Sequence, residues 1–298
     1  FQHTDWEIPE VGYYGVQACH FVEGQDRAGK WSRIPCAVRW DYAAGCSLRN
    51  AVVAHLGAGG IELVEGCRQN VLDGNEIADI GANGLMLGGP GDEARVPKDN
   101  RIANNLVQDC GVEHPGAVGI WVGFAQRTLI SHNEIRNLPY SGISLGWQWN
   151  PAPTPARDNV IEFNHIHHVM RALGDGGGIY TLGFQPGTIV RGNHIHDVER
   201  SPHALGAPNN GMFIDEGSKG FHFERNVLYA TAHQPVRFNQ CAREWHTWKD
   251  NVEGGPKGEK ELAALRAALP SPALQQVLQD TPAQAGPEPA HRQRLLRD

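Results

Sequence analysis

The chain has 298 residues, 40% of them hydrophobic and 20% charged, with 36 glycines and a formal net charge of -7. That length holds one large domain or two average ones, and the acidic balance argues against a nucleic-acid or membrane surface, since either wants a basic patch. No run approaches the ~18 apolar residues of a membrane-spanning helix, and the six cysteines (Cys19, Cys36, Cys46, Cys67, Cys110, Cys241) show neither CxxC nor zinc-finger spacing, so they read as small hydrophobes whose pairing is open.

The opening FQHTDW reads like the middle of a strand, which implies that residues precede Phe1 in the natural chain; no signal peptide is visible. A degenerate unit from Cys46 to Val64 then leads into a clear repeat. Six asparagines (Asn75, Asn105, Asn133, Asn164, Asn193, Asn226) recur at spacings of 30, 28, 31, 29 and 33. Two residues after each stands an aliphatic: Ile77, Val107, Ile135, Ile166, Ile195, Leu228. Each unit closes on a glycine-aliphatic strand, from Gly84-Leu85 to Gly211-Met212, with Pro235-Val236 ending the series.

The apolar period is two, so these are strands. Three short strands per unit cannot bury their inward faces alone, and stacked units can. The expected fold is all-β: a single-stranded right-handed parallel β-helix of about 7–9 rungs over residues 1–254. The repeat asparagines then stack and bond each other and neighbouring backbone amides inside a turn. From residue 255 to 298, helix-forming runs broken by prolines suggest a cap or strap that covers an open strand edge.

Loops between the asparagine-led strand and the glycine-aliphatic strand are longest after Asp109, His168 and Asp197, and so form one wall. WQWNPAPTPARDN, after Gly146, forms part of another. Two walls flanking a strand face make a groove for an extended ligand. Its floor is the outward column Glu62, Met86, Trp121, Ser144, Tyr180, Phe213, Arg237, followed by Val64, Gly88, Gly123, Gly146, Leu182, Asp215, Asn239. Aromatics there suit sugar rings, or equally ordinary ladder stacking.

Asp175 and Asp215 fall on adjacent rungs, where backbones stand roughly 4.8 Å apart. Glycosidases pair two carboxyls at about 5–5.5 Å for retention or about 6.5–9.5 Å for inversion, and stacking allows either. Asp175 also reads as a turn former in a glycine loop; Glu216 is a reserve partner. His165, His167, His194 and His196 point outward two by two on another face. They read as a solvated ladder; no metal is assigned there, although the spacing is within reach of one.

DGGGIYTLG (175–183), GMFIDEGS (211–218), the NHIH phrases, SGISLGWQW and the opening HTDW…GYYGVQA resemble the parallel β-helix glycoside hydrolases that include α-L-fucosidases and xylanases, glycoside hydrolase family 141. The resemblance runs over roughly residues 1–250 and implies that Asp175 and Asp215 match the paired catalytic aspartates. It also implies a plant-type or microbial glycan substrate and export to the periplasm or outside the cell. The resulting expectation is a glycoside hydrolase with Asp175, Asp215 and Glu216 as catalytic acids. Tyr180, Trp121, Trp147, Trp149, His203, Asn210, Arg237, Asn239 and Gln240 would bind an oligo- or polysaccharide. It would work as a monomer without cofactor. The alternatives are a polysaccharide lyase acting on a uronate-containing polymer, which would need Ca²⁺ and a base such as Arg237, or a non-catalytic glycan-binding β-helix.

Overall fold

The computed structural model describes residues 17–23, 30–89, 91–254, 267 and 272–289. The strands stack into three parallel sheets of eight strands each, so the chain winds through eight coils. One coil is typical: Val160–Glu162 in the first sheet, His165–Val169 in the second, Gly177–Thr181 in the third. Registers hold throughout, for example Ile143↔Ile179↔Met212↔Val236 in the third sheet.

The inward residues of the second sheet, Val53, Ile77, Val107, Ile135, Ile166, Ile195 and Leu228, are all fully buried. They form one core with Ile61, Leu85, Ile120, Ile143, Ile179 and Met212 from the third sheet. Parallel strands in one flat sheet need long crossovers. A coil makes its own, so the short period-two segments suffice.

The bends have a chemical cause. The residue four beyond each of the six repeat asparagines is left-handed: Asp79, Asp109, Asn137, His168, Asp197 and Ala230 all have φ near +50°. That conformation costs an ordinary residue about 1–2 kcal/mol, and Asn and Asp tolerate it best, which accounts for their frequency there.

The asparagines themselves form a ladder. Nδ2 of Asn75, Asn105, Asn133, Asn164, Asn193 and Asn226 each donates to Oδ1 of the next member at 2.8–3.0 Å, ending on Asn251. Each Oδ1 also accepts the backbone N–H of the asparagine before it. The expected stacking is therefore present, with Asn251 as a further rung.

Helix α1 (Pro272–Gln284) lies along the side of the coils rather than across an end. Leu274, Val277 and Leu278 pack on Val227 and Tyr229, Thr281 Oγ1 donates to Gly192 O at 3.2 Å, and Gly286 N donates to His132 O. Its contacts thus reach successive coils. No helix among the described residues is long and apolar enough to cross a membrane.

Candidate active site

The third sheet carries the expected outward column in register, Glu62↔Met86↔Trp121↔Ser144↔Tyr180↔Phe213↔Arg237. It is not the open floor expected from alternation. Every member except Arg237 is buried, because a segment near the start of the chain lies over it.

The His20 ring stands 4.2 Å from that of Trp121 and 4.5 Å from that of Trp147. Its Nδ1 donates to Ala18 O at 2.7 Å, and burial pulls its pKa down to about 3, so it sits there neutral. Arg33 adds a clamp, reaching the fully buried Glu62 at 2.8 Å and Gly88 O at 2.6 Å. Trp121 and Trp147 therefore offer no face to a sugar, and we leave both out of the proposed site. Trp149 is half-buried, edge-on to Trp147 at 4.8 Å. What remains of the groove at this end is a cavity of about 460 Å³ beside His20, Arg33, Arg39 and Arg95.

Polar chemistry reaches the surface toward the later coils. Asp215 follows the strand Asn210–Ile214 and is nearly buried. Its turn is fixed: Asp215 N donates to Thr181 O, Ser218 N donates to Asp215 O, and the Thr181 and Ser218 hydroxyls bond at 2.9 Å. Both carboxylate oxygens are held from neighbouring coils. The Tyr180 hydroxyl of the preceding coil donates to Oδ2, and Asn239 Nδ2 of the following coil donates to Oδ1 at 2.6 Å.

Asp175 sits in the loop that leads into Gly177–Thr181, in the left-handed conformation (φ 67°). Its N–H donates to Ala207 O in the next long loop, and its carbonyl accepts the Tyr140 hydroxyl at 2.6 Å. The residue is exposed, yet its carboxyl pKa is raised above the ordinary 3.8, first by lost hydration and then by the charge of Asp215, against the opposing pull of Arg237. Exposure limits the size of that rise.

The charges that act on the Asp175 carboxyl are those of Asp215 and Arg237, on the two coils that follow. The guanidinium of Arg237 lies 5.3 Å over the Phe213 ring. Its Nη2 donates to Asn239 Oδ1 at 3.4 Å, and its buried Nε has no hydrogen-bond partner. Burial raises the pKa of Tyr140 and Tyr180, helped by Asp175 and Asp215 respectively. Both phenols therefore stay protonated and act as donors.

The other expected residues divide. Glu216 is engaged by Gln240 Nε2 at 2.8 Å, so it has a partner of its own. Asn210 donates to Gln234 O and keeps a buried Oδ1 without a partner. His203 is exposed in its loop, its N–H on Ser201 Oγ. That loop is built, not loose: Arg200 donates to Ala204 O, Gly206 O and Ala207 O, and Asn209 Nδ2 reaches Glu199 O at 2.8 Å.

Two residues that hold the Asp175 loop escaped the sequence reading: Tyr140, bonded to the Asp175 carbonyl, and Gln17, whose Nε2 donates to the Tyr140 hydroxyl at 3.0 Å. Tyr140 has a signal that register makes readable: a Cβ on Gly176 would come within 2.8 Å of Tyr140 Cε2. One glycine of DGGG is there to admit the tyrosine of the coil before it. The opening HTDW and most of GYYGVQA lie outside the described residues.

Side chains that could hold an ion lie on the second sheet: His165 with His194 and His196, and Glu134 with His165 and His167. They are not the solvated ladder expected, because His194 is buried and His165, His167 and His196 are half-buried.

Residues 36–228 match the family described as the right handed beta helix region. The chain belongs to this right-handed beta-helix family. No curated protein sequence matches it. Among solved structures, this beta-helix protein is similar to a glycoside hydrolase at 25% identity and TM-score 0.78, over 98% of this chain and 50% of that one. It thus spans half the length of that enzyme. A mannuronan C-5 epimerase module from Azotobacter vinelandii is similar at 16% identity and TM-score 0.59, over 74% of this chain and 55% of that one. A pectate lyase from Xanthomonas campestris is similar at 15% identity and TM-score 0.47, over 82% and 79%. The glycoside hydrolase and the epimerase module share the fold of this chain.

Proposed function

We propose that this beta-helix protein is a glycoside hydrolase of the fucosidase- and xylanase-containing type, with Asp175 as proton donor and Asp215 as nucleophile or base. The observation that carries the reading is the unequal treatment of the two carboxyls. Asp215 is an acceptor fixed at both oxygens by Tyr180 and Asn239. Asp175 holds its proton above the ordinary aspartate range, first because its carboxyl loses hydration and then because of the charge of Asp215. A carboxyl whose surroundings favour its protonated form, near one anchored as a hydrogen-bond acceptor, suits acid and base roles.

In this reading Asp175 protonates the glycosidic oxygen as the bond to the anomeric carbon lengthens. Asp215 meets the developing positive charge on that carbon, directly or through a water it deprotonates. Arg237, half-buried over the Phe213 ring, supplies a guanidinium for sugar hydroxyls. Likeness to the glycoside hydrolase along nearly the whole chain supports the reaction class.

The test is sugar release from xylan and from fucosylated xyloglucan. Asp175→Asn and Asp215→Asn should each lower turnover by at least ~10²-fold in protein that still unfolds cooperatively. Full turnover in either variant removes that residue from the mechanism. A product absorbing as an unsaturated uronate would favour the lyase, and glycan binding without turnover a scaffold.

A further inference from the structure

The second sheet concentrates imidazoles on one face. His165↔His194 and His167↔His196 are cross-strand pairs on neighbouring coils, with His168 beside them. The rings pack closely: His165 on His194 at 5.1 Å, and His167 on His196 at 5.1 Å and 3°. Tyr229, in the same column one coil on, stacks on His196 at 5.1 Å and 4°.

Diagonally, His165 Nε2 meets His196 Nε2 at 2.8 Å. Two ring nitrogens at that distance share one proton between two lone pairs, which is the place a metal ion takes when it displaces the proton. The surroundings are those of a ligand set. His196 Nδ1 bonds Asp197 Oδ2 at 2.6 Å; a carboxylate that accepts a hydrogen bond from Nδ1–H orients the ring and leaves Nε2 to coordinate. The Tyr229 hydroxyl meets His194 Nε2 at 3.0 Å. Glu134, fixed by Arg136 at 3.0 Å, adds negative charge 3.6 Å from His167 Nε2.

One ligand atom each from His165, His194 and His196 lies within 4.8 Å of the other two. Two imidazoles on a tetrahedral Zn²⁺ at about 2.0–2.1 Å hold their nitrogens about 3.3 Å apart. The 2.8 Å pair would need to open by only ~0.5 Å.

We propose that His165, His194 and His196 bind a divalent, imidazole-preferring metal ion of the Zn²⁺ class, which staples two neighbouring coils. Three imidazoles select late first-row metals over Ca²⁺, which wants oxygen ligands. The site faces away from the third-sheet carboxylates, so it is independent of the glycosidase reading. Asp197 is a positioning residue and acts through His196.

The experiment uses tag-free protein stripped with EDTA and dialysed, then titrated with ZnCl₂ by calorimetry, with bound zinc counted by elemental analysis. One zinc per chain is expected, together with a rise in melting temperature that CaCl₂ does not produce. His165→Gln and His196→Gln should abolish stoichiometric binding. Asp197→Asn should weaken it roughly 10- to 100-fold, and His222→Gln, an exposed histidine on the first sheet, should leave it intact. Melting of each variant without zinc reports folding. Absence of stoichiometric zinc in the unaltered protein, or equal zinc uptake by His165→Gln and His196→Gln, would overturn the proposal.

Discussion

Asn164→Ala removes the middle of the asparagine ladder. The Asn164 side chain is fully buried and makes four hydrogen bonds. Its Oδ1 accepts Asn133 N at 3.0 Å and Asn133 Nδ2 at 2.9 Å; its Nδ2 donates to Ile130 O and Asn193 Oδ1, both at 3.0 Å. Alanine strands two donors of Asn133, one of them backbone, where water cannot follow. An orphaned buried group costs about 1–3 kcal/mol, so the pair should cost about 4 kcal/mol, a large part of the ~5–15 kcal/mol of a typical domain.

Asn251→Ala is the internal comparison. Asn251 accepts the same two bonds from Asn226 at 3.0 and 2.8 Å, but it is half-exposed at the last coil, where water can replace it. Its loss should cost about 1 kcal/mol. Urea unfolding of both variants, followed by circular dichroism, reads the difference. Equal cost for the two, or less than about 1 kcal/mol for Asn164→Ala, would refute the view that buried continuity gives the ladder its strength.

Two further outcomes follow from burial and charge. Trp121→Ala should destabilise the protein by about 3–5 kcal/mol, read by thermal or urea unfolding; an unchanged stability with a raised KM would restore Trp121 to the sugar site. Asp175 has a raised folded pKa, so the folded state holds its proton more tightly than the unfolded chain. Its ionisation therefore lowers stability as pH climbs from 3.8 through the raised value. Turnover should fall over the same upper limb as the acid loses its proton. Asp175→Asn should erase both effects, checked by melting and rate profiles against pH; parallel profiles for variant and parent would contradict the assignment.

The fold was readable because its cause is local and repeated. A period of two with an aliphatic two residues after each of six asparagines demands stacked strands, and the three sheets of eight strands are those stacks. Asn251 escaped because it follows Asn226 by 25 residues, outside the spacing of the other rungs. The column geometry was readable too, down to the register that puts Tyr180, Asp215 and Asn239 on three consecutive coils. What covers that column was not. The Gln17–Tyr140 bond spans 123 residues, and the packing of His20 on Trp121 follows no repeat, so alternation alone made the floor look open. The histidines were likewise placed outward by alternation. Their burial depends on Tyr229 and on the pairing of His196 with Asp197, side-chain choices that spacing does not reveal.

The most direct test of the paired carboxyls is a crystal structure of the Asp215→Asn variant with a bound xylo- or fucosyl-oligosaccharide. The glycosidic oxygen should lie within hydrogen-bond reach, about 2.6–3.2 Å, of the Asp175 carboxyl, with the anomeric carbon facing the side chain at position 215. A sugar seated elsewhere, or the two side chains turned to separate sides of the coil, would contradict the mechanism and leave the architecture standing.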